Sequence, residues 1–181
     1  MVGRVWPRQG HRGRPLNSVV RRHRPTMVVR RYRPEDAPQL VALFRKSVSE
    51  LASSDYSPDQ LRAWAQDSVE LPAWVGRLTN AVVVVCEIES QIAGFASVEP
   101  NGHLDLLYVH PQYARQGVAT RLCAELEEWA RRNGVARMFT EASISAKPFF
   151  EVRGFRTIRA QTAYLLGVTM ENFAMEKDCD V

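Results

Sequence analysis

The chain has 181 residues, 45% of them hydrophobic, which is enough for one well-formed core and too few for two. Its longest apolar run, residues 81–86, is strand-sized and excludes a membrane-spanning helix, and its three dispersed cysteines exclude a disulfide scaffold and fit a reducing cytoplasm. The net charge of +4 is uneven: seven of the 24 basic residues lie in the first 26 positions with no acid among them, leaving 17 against 20 acidic ones in the rest.

Residues 1–26 carry that arginine cluster together with three prolines, three glycines and no helical or alternating apolar pattern. Such a composition cannot bury a core, so a disordered basic leader is expected. It lacks a signal peptide's apolar stretch and the amphipathic pattern of a transit peptide. Seven cations would bind phosphate non-specifically, so a nucleic-acid arm is one reading. The preferred reading is upstream sequence that need not be native to the folded unit, because Met27 directly precedes the first strand-like run. Residues 27–181 are then a single domain.

Residues 27–32 read as a short strand, and Pro34 opens a helix carrying Leu40, Leu43, Phe44, Val48 and Leu51 at helical spacing. Ser57-Pro58-Asp59-Gln60 has the pattern of a capping box with proline at the first helical position, and a third short helix is expected over 73–78. Runs at 82–88, 92–98 and 104–109, joined by short polar turns, predict three antiparallel strands. Residues 117–133 give the clearest helix, with Val118, Leu122, Leu126, Trp129 and Ala130 on one face and Gly134 as its stop. A strand at 137–142, a short helix at 145–153 and two strands within 155–177, turning near Gly167, complete the chain.

The stretch that carries chemistry is LDLLYVHPQYARQGVAT, residues 104–120. A strand ends at Val109, and a loop with Arg115, Gln116 and Gly117 runs straight into the long helix. The first turn of a helix has unpaired N–H groups and the positive end of the macrodipole, so this junction suits an anion. Gly117 and the small Ala119 leave room for a phosphate. The P-loop is excluded because Val118 and Ala119 follow the glycine where Lys and Ser/Thr would be needed, and no GxGxxG fingerprint is present.

The order of elements over residues 27–177 resembles the GNAT superfamily of acyl-CoA N-acyltransferases. So do the loop, with its R/Q-x-x-G-x-G/A pattern, and Ala146-Lys147-Pro148-Phe149-Phe150-Glu151-Val152-Arg153-Gly154-Phe155. The resemblance implies an α/β (α+β) fold with a mixed, mostly antiparallel central sheet flanked by helices and with strands splayed at the cofactor site. It implies acetyl-CoA as co-substrate, direct transfer of acetyl to an amine of a small molecule, and no metal. The pyrophosphate would lie on Arg115, Gln116, Gly117, Val118, Ala119 and Thr120. Leu107, Tyr108 and Val109 would hold the acyl carbonyl through backbone groups, with Ser143 and Phe149 on the facing side. Three positions depart from the pattern: Ala114 stands at the leading R/Q, Ser143 where asparagine is common, and Phe150 where many members have a proton-donating tyrosine.

Amine acylation needs a proton acceptor for the nitrogen and stabilisation of an oxyanion. Asp105 is the first choice as base on the family's pattern, with His103 second. With Phe150 unable to donate a proton, Tyr164 is the candidate acid, alongside Tyr108 or solvent. The acceptor pocket is expected from Tyr56, Gln60, Trp64 and Trp74, an aromatic set suited to an apolar or aromatic amine. The alternative function is a non-catalytic acyl-CoA-binding sensor or regulatory subunit, which Phe150 favours. Nucleic acid and membrane are not expected partners, and a homodimer is compatible with the sequence.

Overall fold

A computed structural model describes residues 26–66 and 71–179. The first 25 residues of the leader, and the expectation attached to them, lie outside the described residues.

Strand β1 (Met27–Arg31) passes through a 3-10 turn at Pro34–Asp36 into α1 (Ala37–Leu51). Asp36 locks this junction. Its carboxylate accepts from the Arg33 backbone N–H at 2.8 Å and from both terminal nitrogens of Arg30 at 2.7 and 2.8 Å. Arg30 also reaches Glu87 at 2.8 Å, which ties the turn to the neighbouring strand. Helix α2 (Pro58–Gln66) begins at the expected reciprocal cap, in which the Ser57 N–H donates to Gln60 Oε1 at 2.8 Å and the Gln60 N–H donates to Ser57 Oγ at 3.3 Å. Helix α3 spans Leu71–Thr79.

Strands β2 (Val82–Ile88), β3 (Gln91–Val98) and β4 (Leu104–Val109) follow as antiparallel neighbours, and with β1 they form one sheet in the order β1-β2-β3-β4. Helix α4 (Val118–Arg132), strand β5 (Arg137–Ser143) and helix α5 (Lys147–Val152) come next. Strands β6 (Arg156–Leu165) and β7 (Val168–Asp178) then complete a second sheet, β5-β7-β6.

Alternation along the strands sends residues to both faces of the first sheet. Val83, Val85 and Phe95 pack with Leu40, Phe44, Val48, Trp74 and Leu78 of α1 and α3. Val84, Cys86 and Ile88 face the opposite way, onto Val118, Leu122, Leu126 and Ala130 of α4. These helical positions recur every four residues, and Leu122 and Leu126 are fully buried, each contributing about 1.5–3 kcal/mol.

Among the described residues, hydrogen bonds join the two sheets at one end. At the seam His103 bridges Phe139 in parallel, the Phe139 N–H donates to the Gly102 carbonyl at 3.1 Å, and Thr140 Oγ1 donates to the Leu104 carbonyl at 2.8 Å. Gly102 is required there, because a Cβ on it would lie 2.2 Å from the Arg137 carbonyl oxygen. Beyond the seam β4 and β5 belong to separate sheets, and a cleft opens between them.

Candidate active site

The cleft is a cavity of about 800 Å³. Leu107, Tyr108 and Val109 border it from β4, and Ala142, Ser143 and Phe149 border it from β5 and α5. One end is the start of α4, where Arg115, Gly117, Val118, Ala119 and Thr120 line it; the other is formed by Tyr56, Trp64 and Arg77.

The α4 end is built to meet an anion. Gly117 is the N-cap, with φ of 89°, a left-handed conformation that favours glycine, and no side chain among the described residues caps the helix. Its carbonyl accepts the Arg121 N–H at 3.0 Å, so the N–H groups of the preceding turn precede the intrahelical ladder. A Cβ built on Gly117 meets nothing within 4 Å, so the space above the turn is open. Arg115 is exposed and borders the cavity beside it. Gln116 does not border the cavity with its side chain, whose Nε2 donates to the Gln112 carbonyl at 2.9 Å.

At the opposite end Tyr56 is buried, with its ring edge-on to Trp64 at 5.5 Å. Its hydroxyl donates to the Glu171 carbonyl and accepts from the Ile144 N–H, both at 2.9 Å, which fastens the segment between α1 and α2 to β5 and β7. Burial raises its pKa. Two of the expected acceptor residues lie elsewhere. Gln60 is consumed by the α2 cap and by donating to the Thr169 carbonyl at 2.7 Å. Trp74 is 2% exposed, packs on Phe44 and Phe95 at 5.2 and 5.9 Å, and borders a smaller neighbouring cavity of about 310 Å³ with Trp64, Arg77 and Tyr108 in place of the main one.

The sequence-predicted proton carriers also separate. Both oxygens of Asp105 are taken by Arg77, at 2.6 Å from Nε and 2.5 Å from Nη2, so this carboxylate is a clasp between β4 and α3 and not a free base. His103 does not border the cavity; its ring stacks on Phe139 at 4.9 Å, and its Nε2 lies 2.6 Å from Glu141 Oε2. Tyr164 is 75% exposed, because the alternation of β6 turns Ala163 and Leu165 toward the cavity and Tyr164 away from it, which removes it as the acid. Tyr108 borders the cavity, but burial pushes its hydroxyl up to about 12, with Trp64 hydrogen-bonded to it. Alternation alone would separate Tyr108 from Asp105. A register irregularity at Ser97/Val98, opposite Asp105, lets both line the cavity. Phe150 is 2% exposed and packs edge-on against Phe149 and Phe155.

Among the cavity residues that escaped the sequence reading are Arg77, Glu141, Glu171 and Asn172. Arg77 and Glu141 are each paired with a residue that reading did select. Asn172 faces Ser143 across β7, and its Oδ1 is buried with no hydrogen-bond partner among the described residues, leaving an acceptor for a ligand N–H. The β5 alternation, with Met138, Thr140 and Ala142 buried, marks Glu141 as facing the other way.

Comparison with known proteins agrees with this architecture. The family described as an acetyltransferase (GNAT) domain matches residues 52–177. An uncharacterized N-acetyltransferase, YafP of Escherichia coli (strain K12), is 38% identical over 147 residues, covering 81% of this chain and 93% of that protein. The crystal structure of a GCN5-related N-acetyltransferase from Rhodopseudomonas palustris is 33% identical, covers 84% of this chain and 96% of its own, and superposes with a TM-score of 0.82. PaiA N-acetyltransferase from Thermoplasma acidophilum, solved in complex with coenzyme A, shares the fold at 18% identity and a TM-score of 0.73, covering 84% of this chain and 99% of that one.

Proposed function

The chain belongs to the GNAT acetyltransferase family and is an acetyltransferase, and from that premise we propose that it transfers acetyl from acetyl-CoA directly to the nitrogen of a small-molecule amine. The observation that carries this reading is the uncapped start of α4. It opens at Gly117 into a cavity that continues, past the splayed β4 and β5, to the aromatic end at Tyr56 and Trp64.

The residues present suit a coenzyme A pyrophosphate. The free N–H groups of the first α4 turn, at Val118, Ala119 and Thr120, would grip it, with Arg115 as an added cation. That the space above Gly117 is open supports this fit. When bound, acetyl-CoA supplies an activated thioester carbonyl. The backbone of Leu107, Tyr108 and Val109, on a strand that parts from β5, would hold that carbonyl and stabilise negative charge on its oxygen. Ser143, Phe149 and Asn172 form the facing wall, where the Asn172 carbonyl can accept an amide N–H.

The acceptor enters from the end bordered by Tyr56 and Trp64, whose aromatic faces suit an amine with an apolar or aromatic arm. Attack by the neutral nitrogen forms the C–N bond, the C–S bond breaks to release the thiolate, and the nitrogen gives up one proton, all without a covalent enzyme intermediate. Phe150 has no proton to give, and the thiolate is protonated by solvent. The test is release of free thiol from acetyl-CoA across a panel of amines. Release with aromatic or apolar primary amines is expected; coenzyme A binding without release for any amine would overturn the reading.

A further inference from the structure

We propose that Glu141, positioned by His103, accepts the proton that the acceptor amine loses. The inference rests on the acetyl-transfer reading above and names a group that the sequence did not single out.

Among the described residues three carboxylates border the cavity: Asp105, Glu141 and Glu171. Asp105 already has a guanidinium on both oxygens, so a proton arriving there would have to displace Arg77. Glu171 lies on β7 beside Tyr56, at the outer end of the cavity, where its backbone carbonyl holds the Tyr56 hydroxyl. Glu141 sits on β5, the strand that parts from β4 at the seam, close in the chain to the wall residues Ala142 and Ser143. Its Oε2 is engaged by His103 at 2.6 Å, and no hydrogen bond to its other oxygen occurs among the described residues.

His103 is itself fixed. Its ring lies nearly parallel to Phe139, at 13°, its backbone N–H donates to Asn101 at 2.9 Å, and its Nδ1 lies 3.6 Å from Glu99. A carboxylate held by an imidazole that is held in turn by stacking has the arrangement of a base and its orienter. The other charged groups near the pair are Glu99 beyond the imidazole, the Arg77–Asp105 clasp on the adjoining strand, and Glu171 at the far rim.

In the reaction the amine nitrogen bonds to the carbonyl carbon, the carbon–sulfur bond breaks with its electron pair leaving on sulfur, and one N–H proton passes to the free oxygen of Glu141. His103 touches no substrate and acts as a positioning residue. The thiolate takes its proton from water, and Glu141 returns its proton to solvent.

The experiment measures thiol release against pH for the full chain, with coenzyme A affinity measured in parallel, for wild type, Glu141→Gln, His103→Gln and Asp105→Asn. We expect Glu141→Gln to lose about a hundredfold in kcat and to abolish the acid limb of the kcat/KM profile, with coenzyme A affinity retained. His103→Gln should move that limb without erasing it. An acid limb unchanged in Glu141→Gln, or erased by Asp105→Asn instead, overturns this inference and leaves the transfer reading standing. No thiol release by the wild type with any amine overturns the transfer reading and this inference with it.

Discussion

Arg77 on α3 holds Asp105 on β4 through two parallel hydrogen bonds, Nε to Oδ2 at 2.6 Å and Nη2 to Oδ1 at 2.5 Å. Such a forked pair fixes orientation as well as charge, and the Asp105 side chain is only 11% exposed. The clasp ties α3 to β4 where both border the cavity. Arg77→Ala and Asp105→Asn should each destabilise the protein, and the double variant should cost no more than the worse single, a coupling of about 1–2 kcal/mol in urea denaturation. Additive losses would show that the two side chains act independently.

Tyr56 has a second, longer-range role. Removing its hydroxyl strands the Ile144 N–H and the Glu171 carbonyl, both satisfied by that one oxygen. Tyr56→Phe is expected to cost about 1–3 kcal/mol and to raise KM for the amine more than KM for acetyl-CoA. Equal changes in both KM values would argue that the tyrosine does not shape the acceptor end.

The junction of β1 and α1 should govern acid stability. The Arg30 guanidinium beside Asp36 holds its carboxyl below the usual carboxylate value, with the Arg33 N–H acting in the same direction and burial opposing. A depressed folded-state pKa contributes stability that is complete above the unfolded value of about 3.9 and is lost as pH falls through the folded one. Asp36→Asn should therefore be less stable than wild type at pH 7, and the two stabilities should converge below about pH 4, as followed by thermal melts across that range. A constant gap at every pH would contradict the assignment.

Local features were legible because local chemistry decides them. The Ser57/Gln60 cap, the Gly117 start of α4 and the strand bounds at β2 and β4 all depend on neighbours within a few residues. The errors lie where the outcome depends on docking. Trp74 reads equally well as a pocket wall or as core, and only the seating of α3 on Phe44 and Phe95 decides. Tyr164 has the chemistry of an acid, but β6 is an edge strand whose alternation turns that residue outward. Asp105 and His103 sit where the family pattern expects a base, yet their partners come from α3 and β5, 28 and 38 residues away. No periodicity in the sequence announces either pairing.

The central claim is that the open first turn of α4 binds the coenzyme A pyrophosphate, and titration calorimetry with coenzyme A tests it most directly. Gly117→Ala puts a methyl at the edge of that open space and should bind somewhat more weakly than wild type, while losing about 1–2 kcal/mol of stability, the cost of a Cβ in a left-handed conformation. Gly117→Glu places a negative side chain in that same open space and should bind at least a hundredfold more weakly, at a melting temperature close to that of Gly117→Ala. Undiminished coenzyme A affinity in Gly117→Glu would contradict the account.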